Sequence, residues 1–253
     1  MIKSFLIPIS FWIASKAKNK KPYTIGFGGG QGAGKTTISS IVTLILKKYF
    51  KLSVFKISID DFYKTRKERF LLSKKIHPAF MTRGVPGTHD TKIIFNFFKK
   101  IRSRNFKSFK MPKFDKSIDD RCKKNFWYKI KQKPDVIILE GWCVGARAQQ
   151  SYQLKKSINF FEKNNDQNLV WRKYVNFQLK TKYKKIFNKL NCLMYLKSKN
   201  KKNLKIMNKK EVIKFMQTYQ RITQNMFKDA PKYCSIILNL NSNHQIKSVD
   251  YRK

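Results

Sequence analysis

The chain has 253 residues, 42% hydrophobic and 28% charged, with 21 Phe, 11 Tyr and 4 Trp. That is ample material for a core and excludes disorder throughout, while 10 Gly and 7 Pro exclude a collagen-like or low-complexity chain. The 57 Lys and Arg against 14 Asp and Glu give a net charge of +43, and no apolar run approaches the roughly 20 residues that span a membrane.

Such an excess of base ordinarily points to nucleic acid. Here Arg is sparse, and Lys rises together with Asn, Ile and Phe, residues whose codons are rich in A and T. Codon bias accounts for a Lys-heavy surface, and a nucleic-acid partner is not expected. Cys122, Cys143, Cys192 and Cys234 form no C-x-x-C pair. Scattered in this way they read as buried thiols, which favours a reducing, cytoplasmic location.

Residues 5–14 are apolar but broken by Pro8 and followed by Lys16, Lys18, Lys20 and Lys21. They read as a lead-in helix within residues 1–21, with Leu6, Ile9 and Ile13 on one side, and not as a leader. A short buried strand follows at 23–28, then a helix over 36–50 with Ile38, Ile41, Val42, Ile45 and Leu46 at helical spacing. A second strand covers 53–59. Residues 60–90 are polar and punctuated by Pro78, Gly84, Pro86 and Gly87, which predicts mostly loop. A helix over 91–102 is followed by Val136–Leu139, a continuous apolar run of the kind found in a parallel strand buried on both faces. A long helix over 168–190, a strand at 192–196, a helix over 209–228 and a last strand at 236–240 complete the pattern. Strands alternating with helices predict one α/β domain over residues 1–253, with a doubly wound parallel sheet covered by helices on both sides.

Gly29-Gly30-Gln31-Gly32-Ala33-Gly34-Lys35-Thr36 fits G-x-x-x-x-G-K-[ST] at each fixed position, between a strand and a helix. Its backbone N–H groups would cradle phosphates at the helix N-terminus, with Thr37 beside them. Lys35 would reach the β- and γ-phosphates, and Thr36 would hold Mg²⁺. Asp60-Asp61-Phe62-Tyr63 ends the second strand, where ligands of parallel sheets bind; a carboxylate there suits proton abstraction from an attacking hydroxyl, or simply a helix cap. If strand alternation persists, Asp60 shares a side with Ser58, and Asp61 faces the other way. Glu140 follows the apolar 136–139 strand in the Walker B manner, near the metal. Three stretches suit either the substrate side or plain turns and ion pairs: 83–90 with Arg83 and His89, 112–121 with Asp115 and Arg121, and 145–147 with Arg147.

Taken together, GGGQGAGKTT, SIDDFYKT, HPAFMTRGVPGTHD, MPKFDKSIDDR, VIILEGWCVGAR, LVWRKYVNFQLK and EVIKFMQTYQRITQNM resemble the P-loop kinases grouped with D-glycerate 3-kinase, relatives of uridine kinase, phosphoribulokinase and pantothenate kinase. The resemblance implies a P-loop NTPase fold and transfer of phosphate from ATP, with Mg²⁺, to a hydroxyl of a small substrate, D-glycerate first. A nucleoside, pantothenate-like or sugar acceptor is the alternative, and a weakly active nucleotide-binding protein associated with nucleic acid is a further one. The resemblance puts the catalytic base at Asp60 and its polar neighbour at Asp61, and it puts Tyr63, Arg83, His89, Asp115, Arg121 and Arg147 on the acceptor side. It also implies a lid helix after the fourth strand. The Lys/Asn tract over 197–210 lacks that lid's signature and predicts a shortened lid.

Overall fold

The computed structural model describes residues 2–198 and 210–252. Helix α1 (Ile7–Asn19) leads into strand β1 (Tyr23–Gly29), helix α2 (Lys35–Lys48), strand β2 (Val54–Ser58) and helices α3 (Arg66–Lys75) and α4 (Thr91–Arg102). The short strands β3 (Phe109–Met111), β4 (Phe114–Asp115), β5 (Asp120–Arg121) and β6 (Tyr128–Ile130) form two antiparallel pairs, the β4–β5 hairpin set between β3 and its partner β6. The chain continues through β7 (Val136–Glu140), α5 (Phe160–Asn165), α6 (Val170–Gln178), α7 (Lys184–Phe187), β8 (Cys192–Ser198), α8 (Lys210–Asp229), β9 (Ile236–Leu240) and β10 (Ile246–Tyr251).

The main sheet runs β10-β9-β8-β1-β7-β2, parallel throughout except for β10. β1 and β7 are both interior strands, and their pleat divides the apolar residues between two faces. Ile25, Phe27, Val136 and Ile138 pack with Leu6, Ile9 and Ile13 of the N-terminal segment and with Ile38, Val42 and Leu46 of α2. Ile137 and Leu139 pack on the other face with Phe97 and Phe98 of α4, Trp171 of α6 and Met226 of α8. Helices thus cover both faces, as the alternating pattern predicts. No helix among the described residues is long and apolar enough to cross a membrane.

Several expectations need correction. Residues 60–90 hold a ten-residue helix, α3, whose buried side chains are Arg69 and Ser73. It has no apolar stripe to betray it; its signal is the capping box of Thr65 and Glu68. The helix expected over 168–190 is interrupted by a π-turn at Leu179–Tyr183 between α6 and α7. The strand 236–240 is not the last, because β10 pairs antiparallel with it; Lys247, Ser248 and Asp250 give β10 the polar look of an edge strand. Strand β2 ends at Ser58, and Ile59–Phe62 form a 3₁₀ turn whose second N–H, from Asp60, is capped by the Ser58 hydroxyl at 3.2 Å. Strand alternation therefore does not govern Asp60 and Asp61. At three residues per turn their side chains still diverge. Most of the expected shortened lid, residues 199–209, lies outside the described residues; Lys197 and Ser198 belong to β8, and Lys210 opens α8.

Candidate active site

The phosphate-type loop sits where β1 gives way to α2. Gly34 caps α2 at φ +81°, and a Cβ there would meet nothing within 4 Å, so glycine is required by conformation and not by space. Gly32 is exposed at the loop's tip and Ala33 is buried under it, while Thr36 and Thr37 are exposed in the first turn of α2. Lys35 folds back over the loop, its Nζ donating to the Gly30 carbonyl at 2.7 Å. Burial lowers the pKa of this amine, while Glu140 and Asp60 oppose that effect, so one lysine feels both acids. The Thr36 hydroxyl donates to Glu140 Oε1 at 3.3 Å across the carboxyl ends of the central strands. A hydroxyl and a carboxylate so placed are the hard oxygen donors Mg²⁺ takes, and Mg²⁺ needs only one or two protein oxygens beside water and phosphate.

The two acids of the 3₁₀ turn occupy distinct surroundings. Asp60 Oδ2 accepts from Lys116 Nζ at 2.7 Å, and Tyr63 is also hydrogen-bonded to this carboxylate. Burial pushes the Asp60 carboxyl up, but the Lys116 ammonium and the Tyr63 hydroxyl together outweigh it and hold the group below the usual carboxylate range. Asp61 Oδ1 accepts a long bond from the Phe114 N–H, at 3.3 Å, and the Ser58 backbone also supports this carboxylate, but burial outweighs both and raises its pKa to about 6.

The segment 83–90 is pinned from several sides. Trp142 Nε1 donates to the Gly84 carbonyl at 3.1 Å, and the Tyr219 hydroxyl donates to the Arg83 carbonyl at 3.3 Å. Gly84 has φ +141°, and a Cβ on it would lie 1.9 Å from the Tyr219 hydroxyl oxygen. His89 stacks on Tyr63 with ring centroids 4.3 Å apart, and its Nδ1 lies 2.6 Å from the Tyr183 hydroxyl. Because the Gly87 N–H donates to that hydroxyl oxygen, we assign the phenolic proton to Nδ1 and the ring proton to Nε2, which has no partner among the described residues. Burial lowers the His89 pKa to about 4, so the ring is neutral at pH 7.

Of the remaining sequence candidates, Arg83, Arg121 and Asp115 are tied to the hairpin beside the acids, and Arg147 lies apart from it. Arg83 and Arg69 share Asp119. Arg121 donates to the Tyr63 carbonyl at 2.9 Å and lies 3.5 Å from Asp90. Asp115 accepts from the backbone N–H and hydroxyl of Ser117 at the tip of the β4–β5 hairpin. Arg147 is exposed and stacked on Tyr233, 3.6 Å from its ring centroid. The fold thus gathers Lys35, Thr36, Glu140, Asp60, Asp61 and Tyr63 at the carboxyl ends of the central strands. His89 is sealed behind Tyr63, and Arg147 is engaged with an aromatic ring. Sequence reasoning missed Lys116, Trp142 and Tyr219. The one available signal was the position of Lys116 between two scarce acids.

No protein-family model matches the chain. An uncharacterized kinase, mug58, of Schizosaccharomyces pombe is 32% identical over 186 residues, 70% of this chain and 65% of its own length. The chloroplastic D-glycerate 3-kinase of Arabidopsis thaliana is 31% identical over 159 residues, 56% of this chain and 35% of the relative. The chain thus spans less than two thirds of the length of these curated relatives. The solved D-glycerate 3-kinase of Cryptococcus neoformans superposes with a TM-score of 0.77 at 19% identity, covering 97% of both chains. Fold and phosphate loop make the chain a P-loop protein, and its sequence likeness is to kinases. Among these it is similar to the D-glycerate 3-kinases.

Proposed function

We propose that residues 1–253 act as one ATP-dependent kinase domain that phosphorylates a hydroxyl of a small organic acid, with D-glycerate the leading candidate. The observation carrying this reading is that Lys35 feels the carboxylates of both Glu140 and Asp60 at one strand-end site, with the Thr36 hydroxyl on Glu140. In the proposed reaction the acceptor oxygen attacks the γ-phosphorus, the bond to the β–γ bridging oxygen breaks and ADP leaves. The hydroxyl proton passes to the Asp60 carboxylate. The loop N–H groups and Lys35 hold the phosphates and meet the charge that develops on them. Mg²⁺, held by Thr36 with Glu140, would neutralise phosphate charge. Asp61 and Tyr63 orient the base, and Arg83, Arg121 and Asp115 shape the acceptor side. We assign His89 a supporting place behind Tyr63, and Arg147 a place at the rim.

The D-glycerate 3-kinase relative supports this acceptor. The buried free thiols of Cys143, Cys192 and Cys234 suit a reducing compartment, and we place the protein in the cytoplasm. An ATP-consumption screen across D-glycerate, nucleosides, pantothenate and sugars tests the proposal. Turnover is expected with D-glycerate, and turnover confined to another acceptor would reassign the substrate.

A further inference from the structure

We infer that Lys116 is the specificity-determining cation of the acceptor site: it is the counter-ion of Asp60 in the ligand-free chain and passes to the carboxylate of a hydroxy-acid acceptor when one binds. This rests on the proposed kinase reading and deepens it.

The hairpin that carries Lys116 is tied almost wholly to the segment bearing the acids. Phe114 N–H donates to Asp61, Asp120 accepts from the Arg66 N–H, and Arg121 donates to the Tyr63 carbonyl. Asp119, at φ +53°, grips Arg69 and Arg83. Ser117 closes the tip through Asp115. The backbone of Lys116 is therefore fixed over the acids, while its side chain is 62% exposed and 2.7 Å from Asp60 Oδ2. Four other cations of the site are committed elsewhere: Arg69 and Arg83 to Asp119, Arg121 to Tyr63 and Asp90, and Lys35 to the phosphate loop.

An ammonium in contact with a general base makes that base a poor proton acceptor, so turnover requires the contact to loosen. An exposed ion pair is weakly held and is easily exchanged for another anion. A carboxylate acceptor brings such an anion to the mouth of the site and releases Asp60 as it binds. A neutral hydroxyl compound offers no exchange and leaves Lys116 on the base. Charge on the acceptor is thereby coupled to freeing the base, which is discrimination in the catalytic step as well as in binding.

The test compares D-glycerate with glycerol, its neutral counterpart, in the wild type and in Lys116→Met and Lys116→Arg, using steady-state kinetics and calorimetric binding, with melting temperatures as a folding check. For Lys116→Met the KM and Kd for D-glycerate should rise about tenfold or more, the loss expected for a charge-assisted contact, with the KM for ATP within about twofold. Its kcat/KM for glycerol should hold or rise, and Lys116→Arg should recover part of the D-glycerate affinity. An equal rise in the KM for ATP would move Lys116 to the phosphates. Equal losses for glycerol and D-glycerate would leave it a structural role. Either result, or no change, overturns the inference. If the wild type binds D-glycerate but transfers no phosphate, the kinase reading fails alone and the binding arm still decides Lys116; if it does not bind D-glycerate, the inference falls with it.

Discussion

Asp61→Asn isolates the most perturbed acid of the site. A carboxyl whose folded-state pKa is raised from 3.8 to about 6 contributes stability that is fully present below pH 3.8 and is lost as the pH climbs through about 6. At neutral pH the ionised, half-buried carboxylate is therefore a cost, because the backbone groups of Phe114 and Ser58 do not make up for the water it loses. A rise of about two units corresponds to about 3 kcal/mol at most. Between about pH 4.5 and about pH 7.5 the linkage integral gives about 2 kcal/mol, which partial exposure of the side chain trims to about 1–2 kcal/mol. Asparagine keeps an oxygen for the Phe114 N–H and carries no charge. Urea unfolding of both proteins at the two pH values reads the difference, provided the m-values agree. The stability of the variant relative to wild type should grow by about 1–2 kcal/mol from the lower pH to the higher. A difference that stays constant or shrinks would refute the argument that burial outweighs the partners of Asp61.

Other expectations follow from the same site. Asp60→Asn should lower kcat by about 10²–10⁴-fold with ATP affinity little changed, and Asp61→Asn should lower it far less; saturating kinetics on both variants checks the assignment. Lys35→Ala should remove phosphotransfer while leaving the circular dichroism of the fold intact, because the phosphates lose their main cation. Gly84→Ala should lower the melting temperature and raise the acceptor KM, since its Cβ would collide with the Tyr219 hydroxyl at a backbone angle that disfavours any side chain. Glu162→Gln should cost about 3 kcal/mol in urea unfolding, because Arg172 and Arg221 both rest on that buried carboxylate.

Much of the site was legible because phosphate chemistry imposes a local pattern. The Gly29–Thr36 stretch and the 136–140 strand carry their proposed meaning in consecutive residues, and the fold brings the Thr36 hydroxyl to Glu140. Asp60 and Asp61 were recognisable as a pair, but their inequality arises from Lys116 and Phe114, more than 50 residues away in the chain. Helix α3 escaped because a helix that buries an arginine leaves no apolar period. The roles of Trp142 and Tyr219 were equally hidden: each acts by donating to a backbone carbonyl of the 83–84 loop, and a hydrogen bond to backbone selects no residue type at the accepting position.

Acids are outnumbered about four to one by Lys and Arg, with 14 against 57, yet they stand at the joints of the fold. Asp90 caps α4, Glu68 closes the α3 capping box, Asp135 fastens Ser53 and Lys21, and Glu162 and Asp166 hold Arg172 inside the protein. Few carboxylates are left over for ornament. Mutational tolerance should therefore be lopsided. Random diversification selected only for folding would let the many lysines drift to other polar residues while returning the acids at these joints almost unchanged, and the basic character of the surface would prove the most freely variable property of the sequence.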